Sequence, residues 1–168
     1  EVNKGSKGVL LGLGEPVRTL PTTFTGALPP EFARAEVFCP GCLVVQGPPF
    51  AQNRAAAAAL AKCDAVRDWP LVVLVDDAAK AAKSSVNFLW TTFTRFEPAA
   101  DLHARELSLV HTQPCWTPPI VLDARMKPSY PKELFCDPDT AKKVSARWRE
   151  YFPSGRVAMG DSDRGHLD

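Results

Sequence analysis

The chain has 168 residues, 45% of them hydrophobic, enough for one domain with a continuous core. Its 20 Lys and Arg against 19 Asp and Glu leave a net charge of +1, which offers no electrostatic footprint for nucleic acid or an anionic membrane. No apolar run approaches the roughly 18 residues of a membrane span, and the N-terminus lacks the apolar stretch of a signal peptide. Five cysteines, an odd number without framework spacing, suit a reducing compartment, so the cytoplasm is the expected location. The sequence opens on Glu1 and not on methionine, as a trimmed, processed or partial chain would. Sixteen prolines imply many irregular connections between short elements.

In chain order, GVLLGL (8–13) reads as a short apolar strand, followed by a proline-bearing loop and the turn LPPEF (28–32). CLVVQ (42–46) is the next strand. PFAQNRAAAAALAKC (49–63) is helical by propensity, and its five consecutive alanines let another element approach closely. Trp69-Pro70 stops any helix and introduces LVVLVDD (71–77), an uninterrupted apolar run of the kind covered on both faces. A helix is expected over 78–96, where Ala82, Val86, Leu89, Trp90 and Phe93 recur at helical spacing and make one broad apolar face. ELSLV (106–110) and PIVLDA (119–124) are further strands. A last helix over 137–152 has Asp137 at its N-cap, Pro138 at its first position, and Ala141, Val144, Trp148 and Tyr151 on one face. The alternation argues for an α/β domain, a layered and largely parallel sheet with helices packed on it, spanning 1–155 and ending in a flexible tail over 156–168.

The pair Cys39-Pro40-Gly41-Cys42 invites a redox or zinc reading. A reactive dithiol sits at a helix N-terminus, but the run after Cys42 is β-branched, so a strand follows and Pro40-Gly41 is a turn dipeptide. Zinc needs two more ligands, and Cys63, Cys115 and Cys136 stand alone. Both thiols are then expected to titrate near the ordinary value of about 8.5. Asp76 and Asp77 close a central strand, where ligands gather in such folds, yet caps and turns use the same residues. His103 and His111 flank ELSLV as loop histidines, and Arg95 suits a helix C-terminus by its charge. DARMKPSYPKE (123–133) is a basic, proline-broken loop whose Arg125, Lys127 and Lys132 could hold an anion or cover a neighbouring surface. No nucleophile-elbow, phosphate-loop or dinucleotide glycine pattern is present.

The order of segments resembles the C-terminal domain of the UbiD-type decarboxylases. LVVLVDDAAKAAKSSVNFLWTTFTRFEPAADLH is similar to the family's strand ending in acidic residues, then a helix with an aliphatic-Trp pair, then Thr94, Arg95, Pro98 and Asp101. PPIVLDARMKPSYPKE resembles its late Asp-Ala loop, with Asp123, Ala124 and Pro131, and DPDTAKKVSARWREYF its closing helix with Trp148. Upstream, ALPPEFARAEVFCPGCLVVQG fits the turn and strand that open the domain, so the resemblance covers about residues 27–152. It implies a part in reversible non-oxidative decarboxylation of aromatic or unsaturated acids on prenylated flavin mononucleotide, held with a divalent metal and potassium by a flavin-binding partner domain or large subunit. The family's acid–base residues and metal ligands lie in that other domain, so this chain is expected to bind no cofactor, hold no metal and catalyse nothing alone.

On the same resemblance, Lys62, or Arg54 on the same helix, would face the cofactor phosphate, and His111 and Arg95 the substrate pocket. Two departures alter these contacts: the acidic run is reduced to Asp76-Asp77, and the segment after CLVVQ, often basic in relatives, reads GPPFAQNR. The alternatives are a non-catalytic assembly or regulatory subunit of the same fold, and a CPGC-based thiol or zinc protein. A homo- or hetero-oligomer is expected, formed through the last helix and the loop before it, where Tyr130, Phe135, Trp148, Tyr151 and Phe152 gather.

Overall fold

A computed structural model describes residues 13–131 and 137–157. Five strands, β1 (Arg34–Cys39), β2 (Cys42–Gln46), β3 (Leu71–Val75), β4 (Leu102–Val110) and β5 (Gln113–Asp123), form one sheet in the order β1-β2-β3-β5-β4. Among the described residues five α-helices accompany it, α1 (Ala56–Lys62), α2 (Ala78–Ala82), α3 (Ser85–Arg95), α4 (Pro138–Ala146) and α5 (Trp148–Tyr151), with one 3-10 turn over Asp64–Val66. The sheet is mixed. Its inner pairings β2–β3 and β3–β5 are parallel, while β1–β2 and β4–β5 are antiparallel. This corrects the expectation of a largely parallel sheet, and the reason is loop length. Residues 40–41 and 111–112 are two-residue connections, which can join only antiparallel neighbours, so each edge of the sheet is a hairpin.

The uninterrupted apolar runs behave as their composition dictates. Val44, Val73 and Val75 point to one side and Leu43, Val45, Val72 and Leu74 to the other, all fully buried. One core lies under α1, where Ala56, Ala57 and Ala61 let Leu60 approach Val121 and Trp69. The second lies under α2 and α3, with Ala78, Ala81 and Phe88. The first helix is shorter than expected because Pro49 accepts turn hydrogen bonds from Gln52 and Asn53, and the Asn53 side chain accepts the Ala55 N–H at 3.1 Å.

The long helix expected over 78–96 is two helices. Ser84 Oγ accepts the Asn87 N–H at 3.1 Å and so starts α3, while the Asn87 amide donates to the Lys80 carbonyl at 2.9 Å and closes α2. That break rotates α3. Its inward residues are Asn87, Phe88, Thr91 and Thr92, with Phe88 stacked on Phe38 at 3.9 Å between ring centroids. The apolar face of Val86, Leu89, Trp90 and Phe93 exists but is turned to solvent.

The last helix also breaks, at Arg147, into α4 and α5. Ala141 is buried, whereas Tyr151 and Phe152 are exposed. Of the strand expected over 8–13, all but the exposed Leu13 lies outside the described residues, as do Lys132, Phe135, Cys136 and the tail beyond residue 157. No helix among the described residues is long and apolar enough to cross a membrane.

Candidate functional site

The parallel strands β2, β3 and β5 deliver Gln46, Asp76 and Asp123 to one edge of the sheet, the end at which α/β sheets place ligands. The loop leaving β5 folds back over this edge. Arg125 is fully buried and uses its whole guanidinium: Nε and Nη2 donate to the Asp123 carboxylate at 2.9 and 2.7 Å, and Nη1 to the carbonyls of Pro48 and Asn53 at 2.8 and 2.9 Å. Two residues on, the buried Lys127 ammonium donates to the carbonyls of Arg95 and Asp123 at 2.7 and 2.8 Å and lies 2.8 Å from Asp101 Oδ2. Asp76 Oδ2 accepts the Met126 N–H at 2.7 Å and pairs with Arg95 Nη1 at 3.1 Å. The Phe50 ring sits among cations, with Arg125 at 5.2 Å, Lys127 at 5.5 Å and Arg54 at 6.0 Å from its centroid. Tyr130 closes the rim 5.4 Å from Lys127. Its hydroxyl is held above the usual range by desolvation first, then by the charges of Asp101, Glu97 and Asp123.

This arrangement is a latch. Each charge in its centre faces an opposite charge or a carbonyl, so it ties the β5 loop to the loop after β2, to the end of α3 and to Asp101. Arg125 and Lys127 are therefore interior groups, and their reading as a surface-covering basic loop is corrected. Among the residues expected to face ligands, Arg95 belongs to the latch. Arg54 lies at its rim, exposed and in the turn just before α1, not on it. Lys62 is exposed at the other end of that helix. His111 is exposed at the tip of the β4–β5 hairpin, in the connecting turn. The structure thus brings Arg54 and Arg95 to one edge and leaves Lys62 and His111 apart from it. His103 is half-buried on β4, opposite Val121. Asp77 caps α2, accepting the Lys80 N–H at 3.0 Å. The sequence reading missed Phe50 and the pairing of Asp101 with Lys127. Asp101 in Thr-Arg-x-x-Pro-x-x-Asp was a visible signal, but its partner lies 26 positions away.

The cysteine turn is a hairpin corner. Cys39 and Cys42 are paired across it, and Gly41 takes φ +79°, the positive value the second corner requires. Gly41 also donates to the Pro21 carbonyl at 2.8 Å, and Leu20 packs where a Cβ would stand. Burial, with Cys39 beside it, pushes the Cys42 thiol up to about 12, so it does not titrate as an ordinary thiol. Among the described residues, no three His, Cys, Asp or Glu side chains converge as a metal site.

No family model matches the chain. It is 44% identical over 151 residues to an uncharacterized protein of Chlamydia trachomatis, a match that covers 90% of this chain and 26% of the relative. An uncharacterized protein of Chlamydia caviae is 43% identical over 153 residues, 91% of this chain and 26% of the relative. A Chlamydia pneumoniae protein, named as one of the subunits of 4-hydroxybenzoate decarboxylase, is 42% identical over 153 residues, again 91% of this chain and 26% of the relative. The chain thus spans about a quarter of the length of the curated relatives it matches.

Proposed function

We propose that this chain is the C-terminal domain, or a split small subunit, of a UbiD-type prenyl-flavin-dependent carboxy-lyase acting on aromatic or unsaturated carboxylic acids. The observation that carries this reading is the 42% identity, over 91% of the chain, to a protein whose name makes it a 4-hydroxybenzoate decarboxylase subunit. The order of the strand, helix and latch segments supports it independently. A flavin-binding domain or large subunit is the partner, and the assembly works in the cytoplasm.

The prenylated flavin, with its divalent metal and potassium, supplies the electron sink for loss of carbon dioxide. This chain's part is positional. Arg125 and Lys127 have their donors committed and keep the strand-end loop rigid. Arg54 is exposed, stacks over Phe50 and has no carboxylate partner among the described residues, which fits one contact to the cofactor phosphate. Lys62 fits that task less well, standing at the far end of α1. Arg95 reaches the substrate side only through the latch, and His111 only where the hairpin tip of one protomer meets the pocket of another.

The committed charges of the latch favour a second reading, a non-catalytic assembly subunit of the same fold. The thiol reading has the high Cys42 value against it. The purified chain, given prenylated flavin and 4-hydroxybenzoate, is expected to release no carbon dioxide. With a flavin-binding partner it is expected to raise turnover, and Arg54→Ala to weaken cofactor binding. Turnover by the chain alone would overturn the proposal, and stable complex formation without any change in turnover would favour the assembly reading.

A further inference from the structure

The cysteine pair has no part in the positional role of the chain, yet its geometry is specific. Cys39 and Cys42 stand directly opposite each other across the Pro40-Gly41 corner. Directly opposed residues of an antiparallel pair have Cα atoms about 4.5–5.5 Å apart, inside the roughly 4.4–6.8 Å that a disulfide spans. Their side chains already meet, the Cys42 thiol being hydrogen-bonded to Cys39. The corner itself is pinned from outside, since Gly41 donates to the Pro21 carbonyl at 2.8 Å and accepts the Leu71 N–H at 3.2 Å. A bond between the two sulfurs therefore asks for side-chain rotation and not for backbone movement. The other described cysteines are elsewhere. Cys63 packs against the core under α1 and Cys115 is exposed on β5, whereas Cys42 belongs to the core under α2 and α3.

We propose that Cys39 and Cys42 are a reversible oxidation site whose substrate is a low-molecular-weight disulfide, with Cys39 as the sulfur that meets it and Cys42 as the sulfur that resolves it. Exposure divides the roles. Cys39 is open to solvent and Cys42 is buried, so an oxidant in solution reaches the first alone. In the first step the Cys39 thiolate attacks one sulfur of the small disulfide. A mixed disulfide forms, the small S–S bond breaks, and the departing thiolate takes up the proton that Cys39 gave away. In the second step the Cys42 sulfur attacks that of Cys39, the mixed disulfide breaks, and the second small thiol leaves with the proton of Cys42. Two protein thiols are oxidised, and one small disulfide is reduced to two thiols. Burial holds Cys42 as the thiol, pushed up to about 12, so the second step is slow, on the order of the minutes to hours of uncatalysed rearrangement. That slowness excludes a catalyst of thiol exchange and suits a site that follows the surrounding redox balance. The closed loop is the four residues Cys39–Cys42, too few to constrain the unfolded chain strongly, so small thiols reopen it. An alkylating reagent stops at Cys39, because it leaves no S–S bond for Cys42 to attack. The inference does not depend on the decarboxylase reading.

The reduced 168-residue chain, incubated with oxidised glutathione without denaturant and mapped by mass spectrometry after acid quenching, is expected to lose both free thiols of the turn to a Cys39–Cys42 bond. Exposed Cys115 should keep its glutathione, and dithiothreitol should return all three to thiols. Cys42→Ala should instead hold glutathione on Cys39, and Cys115→Ser should leave oxidation of the turn unchanged. A native chain that retains glutathione on Cys39, a Cys39–Cys42 bond that forms only in urea, or a turn that stays reduced while Cys115 is modified would overturn the proposal. The first readout is made on the unsubstituted chain, so it decides the matter even where Cys42→Ala fails to fold.

Discussion

Lys127 shows how much of the latch is a matter of single residues. Its ammonium faces Asp101 and backbone carbonyls in a buried site, so Lys127→Met removes the donor and strands a carboxylate in the interior. That change should cost about 3–5 kcal/mol in urea unfolding, and Lys127→Met with Asp101→Asn should cost less, because the stranded charge goes with it. The sequence reading placed Arg125 and Lys127 on a surface because charge in a proline-broken loop usually lies there. Arg125 is held inside by the carbonyls of Pro48 and Asn53, 77 and 72 residues away, and Lys127 by the carbonyl of Arg95, 32 residues away, and no local pattern reveals that. Caps were legible for the opposite reason. Asp137 accepts the Thr140 N–H three residues on, and this bond holds its carboxyl below the usual range. Cys42 gives a pH-dependent case. Its folded value is raised, so the stability tied to the neutral thiol is complete below the unfolded value of about 8.5 and is lost as pH rises toward about 12. At pH 8 a thiol reagent should label the exposed Cys39 and Cys115 and leave Cys42 unmodified until the protein unfolds; prompt modification of Cys42 would contradict its burial.

At the scale of elements, the strands that carry both cores were legible and the hairpins that edge the sheet were not. CLVVQ and LVVLV are unbroken apolar runs and form strands over 42–46 and 71–75. RAEVFC alternates too weakly to announce β1, and β4 begins at Leu102, four residues before ELSLV, because its first residues pair with the buried end of β5. Beyond Ala104 the β4–β5 hairpin extends past the reach of β3, which pairs only with Ile120–Asp123. Leu107, Leu109 and Trp116 are exposed on that extension. Its tip is costly. His111 and Thr112 take φ +49° and +68°, and neither residue is a glycine able to adopt that region without strain. Replacing them with Asn-Gly should stabilise the chain by roughly 1 kcal/mol and slow amide exchange in β4 and β5. Unchanged exchange would mean that the turn is not what limits the hairpin.

For the whole molecule, alternation of strand and helix revealed the α/β class, whereas the sense of each strand pairing depended on turn lengths that composition alone does not reveal. The same scale decides what the C-terminal helices are for. Among the described residues, neither core cluster takes a member from beyond Ala124. Ala141 is buried, but Trp148 leans on Phe152 at 4.5 Å and donates its indole N–H to the Val157 carbonyl at 3.0 Å, so these aromatics mostly cover one another. Deleting residues from Asp137 onward should therefore leave a soluble chain with cooperative unfolding, less stable by about 1–3 kcal/mol for the lost contacts. The far-UV circular dichroism should lose only the signal of α4 and α5. Association provides the second readout. A truncated monomer beside a dimeric full chain would place the contact between copies on the C-terminal helices, whereas a truncated chain that keeps its dimer would take the contact away from them. Wholesale unfolding would show instead that α4 belongs to the core through Ala141, the one fully enclosed residue it contributes.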